Sequence, residues 1–441
     1  MAVVGECGAD DTQLHRALAA VEAGAWRALT GWPGSYLTIA RHGETLAVIG
    51  DLSGQHLVYW RPHKSGVWWA TSQTALAALD GAPVDPLALG AHLAFAQPDA
   101  LAHRGLFRAV RRVPPGHLLL LDPDGVRMVR YEPAEPAPMG LHEAAPTVRA
   151  ALTEAVAARL DGRPVSADLA GLDSTTLACL AAQYGPVTAV TYADARLRDD
   201  DMAYATRTAA AVPGLRHHPV PGGPGTVYYS GLDDLSHLPI TDAPNAYAIT
   251  ASIKRAVLDA VAEHQAPGLH FTGAAGDGVL SAPSSYIADL LREQRYRQAV
   301  AHAIGHARLR HTSALTVLRQ ARPASRIGLA NAWRATAAEL RGAPRVWVPQ
   351  AQRPVAWTPL LATADWMSPD ARGQLAEALD RAADGLGEAP SKLAHWAGWQ
   401  DLVRVGADTN GWRQITQEYG IDLAAPFLDN EVLRACLAVP A

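Results

Sequence analysis

The chain has 441 residues, of which 49% are hydrophobic and 18% charged, and its 38 basic and 43 acidic side chains give a net charge of −5. That length suggests two or three domains with sizeable buried cores. A mildly acidic chain with no basic block lacks the electrostatic footprint of a nucleic-acid binder. Cys7, Cys179 and Cys436 lie far apart with no C-x-x-C pair, which argues against a disulfide framework or a zinc site and fits a reducing cytoplasm. The opening MAVVGECGAD has no secretory pattern, and no apolar run reaches the roughly 18 residues needed to cross a bilayer, so no membrane partner is expected.

In chain order, the first part reads as α+β. Helical text covers Asp11 to Ala28, Gln73 to Leu79 and Pro86 to Ala96. Short β-type runs cover Ser35 to Ala40, Thr45 to Gly50, His56 to Trp60, Val67 to Thr71, His117 to Leu121 and Val126 to Tyr131. The proline-rich stretch Glu132 to Gly140 blocks both helix and inner strand, and is read as a linker between domains 1–133 and 140–441. The second part alternates: helix His142 to Leu160, strand Pro164 to Leu169, helix Ser174 to Gln183, strand Val187 to Tyr192, helix Asp200 to Ala211, strand Arg216 to Val220, helix Ala246 to His264, strand Leu269 to Thr272. Alternation of this kind predicts a doubly wound parallel sheet, an α/β arrangement. Beyond Asp289 the text is helical, apart from a Pro/Arg/Trp-rich break near Gly342 to Pro359.

Ligands of doubly wound sheets sit at the carboxyl ends of the strands. After the first strand comes Asp168-Leu169-Ala170-Gly171-Leu172-Asp173-Ser174-Thr175. Its small residues allow close backbone approach, the following helix start offers free N–H groups and positive dipole character, and Ser174 and Thr175 add hydroxyls. These suit a pyrophosphate, and Asp173 could hold magnesium, which favours carboxylates together with phosphate oxygens. The plainer alternative is a tight turn with Asp173 as the helix N-cap. After the strand at 269–272, Gly273-Ala274-Ala275-Gly276-Asp277-Gly278 forms a second small-residue loop with an aspartate. Two such loops in one sheet could place two carboxylates on one metal; the alternative is a connection with a solvated Asp277.

The first loop resembles the Ser-Gly-Gly-x-Asp-Ser pyrophosphate loop of asparagine synthetases, β-lactam synthetases and lasso peptide cyclases, and the second resembles their Gly-x-Gly-Gly-Asp-Glu segment. Pro426-Phe427-Leu428-Asp429 is similar to a third family stretch. Pro33-Gly34-Ser35-Tyr36, Gly50-Asp51-Leu52-Ser53-Gly54 and Arg112-Val113-Pro114-Pro115-Gly116-His117 resemble the glutaminase-derived domain of lasso cyclases, and Ser166 to Leu169 and Leu238 to Pro244 point the same way. The resemblance implies an amino-terminal Ntn-like domain and a carboxyl-terminal ATP-pyrophosphatase domain with a helical extension. It implies an ATP- and Mg2+-dependent, AMP-forming ligase that closes a macrolactam in a leader-free precursor peptide, with a leader peptidase and a leader-binding protein as further partners. By position, Asp173 and Asp277 would bind magnesium. Leu169, Val190, Thr191, Thr272 and Gly273 would flank the adenosine, and Ala170, Gly171, Ser174 and Thr175 would cradle the pyrophosphate. Tyr286 either lines the acceptor pocket or is a structural ring.

The departures matter. The first loop is one residue short, which removes a hydroxyl and a backbone donor, each worth about 1.5–3 kcal/mol when charge-assisted. Ala275 replaces a glycine and is tolerated only at negative φ, and Gly278 replaces an acidic residue. Ala2 follows Met1 and Cys7 is internal, so no amino-terminal cysteine is present to hydrolyse glutamine. The chain is expected to begin inside the glutaminase-derived domain. The family's lysine-bearing tail maps onto nothing before Ala441, and Lys254 and Lys392 read as solvated surface lysines. Two alternatives stay open: another amide synthetase of the same family, or a non-catalytic relative.

Among other residues, His217 and His218 are adjacent on a strand and so point to opposite faces, unsuited to one metal. His302 and His306 read as a solvated helical face, and Asp199-Asp200-Asp201 as a helix amino end. Most tryptophans, including Trp68, Trp69, Trp396 and Trp399, read as core or interface, while Trp347 and Trp357 are placed to touch peptide.

Overall fold

The computed structural model describes residues 1–64, 66–133, 135–197, 200–342 and 355–440. The amino-terminal part carries β1 (Ala2–Cys7), β2 (Gly34–His42), β3 (Thr45–Ile49), β4 (Val58–His63), β5 (Gly66–Ala70), β6 (Arg111–Val113), β7 (His117–Asp122) and β8 (Gly125–Arg130). One antiparallel sheet runs β1-β2-β3-β7-β8 and a smaller one β5-β4-β6. Alternation sends Leu37, Val48 and Leu119 toward Val58 and Val113 of the smaller sheet. Tyr36, Ala40, Ala47, Leu118 and Leu120 instead pack with Ala17 and Val21 of the helix Asp11–Glu22. That helix is shorter than the expected Asp11 to Ala28: Gly24, at φ +66°, ends it, and a 3-10 turn Trp26–Thr30 follows. β1 carries no strand signal in the sequence because Gly5 interrupts it. At φ +120°, a Cβ there would lie 2.6 Å from the Ser35 carbonyl oxygen of the paired strand.

The carboxyl-terminal part holds a parallel sheet of β9 (Val165–Asp168), β10 (Val187–Ala193), β11 (Leu215–Pro221), β12 (Leu269–Phe271) and β13 (Asp422–Ala424), in the order β11-β10-β9-β12-β13. One face (Ala167, Leu169, Ala189, Leu269, Phe271) is covered by helices Leu141–Ala157, Leu172–Ala181 and Asn430–Leu437. Val190, Val220 and Leu423, on the other face, meet helices Ala251–His264 and Leu393–Gln417. The chain lays down β9, β10 and β11 outward in one direction, then returns past β9 to form β12. β9 and β12 therefore flank the topological switch point, where such sheets open a crevice. β13 falls in text read as wholly helical; three residues are too few to show a period. The expected helix from Ala246 begins as a 3-10 turn, Ala246–Thr250.

Helices Tyr286–Arg292, Tyr296–Leu309, Ala314–Ala324, Leu329–Arg341 and Pro369–Asp384 build the helical extension around Trp333, Leu375 and Leu379. The helix Pro86–Ala94 of the amino-terminal part joins this core through Ala91 and Ala94. Trp357, expected to touch peptide, is only 2% exposed here, and its Nε1 donates to the Ile327 carbonyl at 3.0 Å; burial removes that role. Trp347 and Asp199 lie outside the described residues. The family-like stretch at 426–429 joins the parts. Asp429 pairs with Arg159 at 2.7 Å, both side chains 1% exposed, and accepts the Gly34 N–H at 3.0 Å.

Candidate active site

The two aspartate loops leave adjacent strands, β9 and β12. The helix after β9 starts at Leu172 with Gly171 as its N-cap and no side-chain cap, so Asp173 sits inside its first turn and is not the capping residue. A first turn leaves its amides without intrahelical acceptors, free for an anion. The Ser174 hydroxyl accepts the Ala170 N–H and donates to the Gly171 carbonyl, both at 3.3 Å. Thr175 Oγ1 donates to the Ala170 carbonyl at 3.3 Å. Both hydroxyls thus hold the loop's shape.

The loops touch. A Cβ on Gly273 would lie 2.6 Å from the Ser174 nitrogen, and one on Gly276 would lie 2.2 Å from Asp173 Cγ. Only glycine lets the second loop approach this closely. The Asp173 carboxylate accepts the Asp277 backbone N–H. Burial, followed by the charge of Asp277, pushes the Asp173 carboxyl above the ordinary carboxylate range. The fold therefore brings Asp173 and Asp277 together across the switch point. Ala275, between them, has φ +74°, the left-handed region that a methyl resists. Gly278 stands near another carboxylate: a Cβ there would lie 3.7 Å from Asp401 Oδ2.

Of the residues expected to flank a nucleotide base, Gly273 is half-buried and the other four are sealed by the sheet. Leu169 is 0%, Thr191 1%, Val190 2% and Thr272 5% exposed. The Leu169 N–H donates to the Val190 carbonyl, and the Thr191 hydroxyl, also in contact with His217 Nε2, donates to the Leu169 carbonyl. Any contact from Leu169, Val190 or Thr191 to a ligand must be made by backbone edges. His217 and His218 do diverge: His218 instead meets the His264 ring, with centroids 3.7 Å apart.

Beneath the first loop lies a polar set that the sequence did not reveal. Lys254 Nζ is 3.9 Å from Asp168 Oδ2 and sits over the Trp412 ring at 4.6 Å and the Tyr247 ring at 6.0 Å. It is no solvated surface lysine, since its side chain is 22% exposed. His270 Nε2 lies 3.3 Å from Asp168 Oδ1, and its Nδ1 contacts the Ser166 hydroxyl at 2.9 Å. Burial pushes the Asp168 carboxyl up, but Lys254, His270 and the Thr272 hydroxyl outweigh it and hold the group well below the carboxylate range. The missed signal is spacing: Lys254 falls in register with the buried residues Ala251, Val257, Leu258 and Val261 of its helix. Lys392, by contrast, is half exposed and paired with Glu293 at 3.3 Å.

A family model for asparagine synthase matches residues 147–441, two thirds of the chain. The chain belongs to the asparagine synthase family. Members of the asparagine synthase family are ATP-dependent amide ligases, and the matched span contains both aspartate loops. No curated protein matches the chain. Among solved structures it is similar to the allosteric regulatory enzyme of purine biosynthesis, with 12% identity, 51% of this chain and 60% of that one covered, and a TM-score of 0.20. It is similar too to glutamine phosphoribosylpyrophosphate amidotransferase from B. subtilis complexed with ADP and GMP, with 12% identity, 62% and 61% covered, and a TM-score of 0.20. The chain spans about three fifths of those structures, and likeness at that score carries no argument. Asp173 and Asp277 supply two neighbouring carboxylates, a donor type that magnesium takes together with phosphate oxygens and water; among the described residues no group of three or more metal-ligating side chains forms. No described helix is long and apolar enough to cross a membrane.

Beside the carboxylates, a cavity of about 770 Å³ begins at Thr176 and Gly278 and runs between the helix Leu141–Ala157 and Tyr286. Its walls include Leu141, Val148, Leu152 and Phe427. Tyr286 lines this cavity, and its hydroxyl contacts His302 Nδ1 at 3.0 Å.

Proposed function

We propose that this chain is a cytoplasmic, AMP-forming macrolactam synthetase of the lasso-cyclase type, joining a side-chain carboxylate of a leader-free peptide to that peptide's own amino-terminal amine. The observation that carries the reading is the contact between the Asp173 and Asp277 loops at the switch point. Asp173 and Asp277 would hold magnesium, which when bound neutralises phosphate charge and orients the triphosphate. The first-turn amides from Leu172 to Ser174 donate to phosphate oxygens. A peptide Asp or Glu carboxylate oxygen attacks the α-phosphorus and pyrophosphate leaves. The peptide amine then attacks the activated carbonyl, an amide forms, AMP leaves, and the amine proton passes to solvent. The cavity beside Gly278 has the volume and apolar walls to hold a folded peptide segment, and holding amine and carbonyl together would be the enzyme's main contribution.

Incubation with ATP, magnesium and the short precursor peptide encoded beside the gene should give AMP and a product lighter than the peptide by one water. AMP release with asparagine-type or β-lactam-type substrates only would move the chain to another branch of the family. A second reading, a relative that has lost adenylation, is favoured by the shortened loop and by the strained φ of Ala275. Calorimetry with Mg·ATP separates the two, because the lapsed relative would give no heat.

A further inference from the structure

A second cavity, of about 600 Å³, opens between the amino-terminal sheets and the carboxyl-terminal helices. Arg112, on β6 opposite Tyr59 of β4, forms part of its wall and is 8% exposed. Its Nε and Nη2 are fully buried without an acceptor, and among the described residues no carboxylate pairs with it. Nη1 is the nitrogen left with access. Of the cavity's other guanidiniums, Arg27 and Arg434 share the Glu132 carboxylate, at 3.1 and 2.6 Å, and Arg130 Nε donates to the Glu132 backbone carbonyl at 2.9 Å. Of the other acidic lining residues, Asp99 is held by neutral donors, the Ala100 N–H, Trp333 Nε1 and the Thr358 hydroxyl, and Glu388 is exposed. Burial pulls the Arg112 guanidinium below its ordinary value, as a cation without a partner requires. The surrounding walls, Leu52, Pro114, Trp396, Trp399 and Val403, are apolar.

We infer that this cavity is a binding site for a monoanionic carboxylate carrying an apolar or aromatic body, with Arg112 as the carboxylate anchor. A buried guanidinium is costly unless an anion lies against it, and the accessible Nη1 can donate to a carboxylate oxygen. A chamber with mostly apolar walls suits a monoanion with an apolar body better than a phosphate dianion, and it has the size of a small-ligand pocket. The same chemistry is carried by a free N-acyl amino acid and by the carboxyl end of a peptide. This cavity shares Pro136, His395, Leu437 and Ala438 with the cavity beside Asp277, so a peptide held by its end here could extend toward the aspartate loops. The inference stands independently of the reaction proposed above.

The test is calorimetry on the full chain with N-acetyl-phenylalanine and N-acetyl-Ala-Ala-Phe, each as free acid and as carboxamide. At least one acid should bind, at least tenfold more tightly than its amide. The stronger acid identifies the source: the single residue points to a free amino acid derivative, the tripeptide to a chain end. Arg112→Met should abolish acid binding without lowering the thermal midpoint, since the removed charge has no partner, and Arg112→Lys should retain weakened binding. Absence of binding by either acid, equal binding of acids and amides, or undiminished binding in Arg112→Met would each overturn the inference. The acid-against-amide comparison on the unaltered chain decides the matter even if the methionine variant does not fold.

Discussion

Gly276→Ala tests the site directly, because it adds one methyl group where the structure already holds a carboxylate. The new Cβ would lie 2.2 Å from Asp173 Cγ, 2.3 Å from Oδ2 and 2.5 Å from Cβ. Asp173 Cβ is fixed by its own backbone, so the collision is relieved only if the two loops move apart. Overpacking of this kind costs about 1–3 kcal/mol, partly offset by the preference for alanine over glycine in a helix, about 1 kcal/mol. Gly276 opens the helix Gly276–Leu280 and its φ is not in the left-handed region, so the backbone accepts alanine. Unfolding free energy should therefore fall by no more than about 2 kcal/mol, leaving the chain folded. Affinity for Mg·ATP should fall as well. One charge-assisted contact misplaced is worth about 1.5–3 kcal/mol, or roughly 10- to 150-fold. Urea unfolding and calorimetry on the same preparation read both quantities. Wild-type affinity in a folded Gly276→Ala chain would refute the claim that Asp173 acts from the position seen here. The control, Gly273→Ala, places its Cβ against the Ser174 backbone at 2.6 Å and should lose both stability and binding.

Ala275→Gly relieves a left-handed alanine and should raise unfolding free energy by about 1 kcal/mol, less any contribution of the lost methyl, as read by urea titration. Arg159→Met leaves the buried Asp429 carboxylate unpaired and should cost about 3–5 kcal/mol of stability at pH 7 in the same measurement. Lys254→Met removes the cation facing Asp168 and should cost about 1–2 kcal/mol, discounted for partial exposure. The folded Asp168 carboxyl titrates below its unfolded value, so its contribution is present above about pH 4 and lost as pH falls through the folded value. The gap between wild type and Lys254→Met should accordingly narrow in acid, and a gap independent of pH would show that Lys254 acts through packing alone.

The parallel sheet was legible because its strands and helices differ in period and its loops carry glycines at the strand ends. β9 shows this well: Val165, Ala167 and Leu169 alternate with Ser166 and Asp168, so one face reads apolar and the other polar. That alternation held more than a strand prediction. A carboxylate on the covered face of an inner strand needs a partner, and the partner proved to be Lys254 from a helix more than eighty residues away. Nothing local could name it, although its register among buried residues marked the helix face. β1 and β13 were illegible for other reasons: β1 is interrupted by a glycine that only its pairing with β2 explains, and β13 is too short to show alternation. Trp357 was misplaced because a tryptophan beside a Pro/Arg-rich break is indistinguishable in sequence from one that the helical core encloses.

The departures from the family pattern do not fall evenly over the site. The missing residue lies on the phosphate side of the first loop, and its effect is on the number of donors. The carboxylate side is sterically consistent within itself: Asp173 fills the space that a Cβ on Gly276 would need, and Ser174 the space that one on Gly273 would need. A glycine opening a helix costs stability relative to alanine, and the only structural gain visible at Gly276 is room for Asp173. Burial first, and then the charge of Asp277, raise the Asp173 carboxyl, and a cation between the two carboxylates would turn their repulsion into attraction. Asp173 also accepts the Asp277 N–H, so part of its placement serves the backbone of the second loop. The proposed reading, a retained metal-binding half with a weakened phosphate-binding half, therefore rests on the Mg·ATP calorimetry of the Gly276→Ala chain.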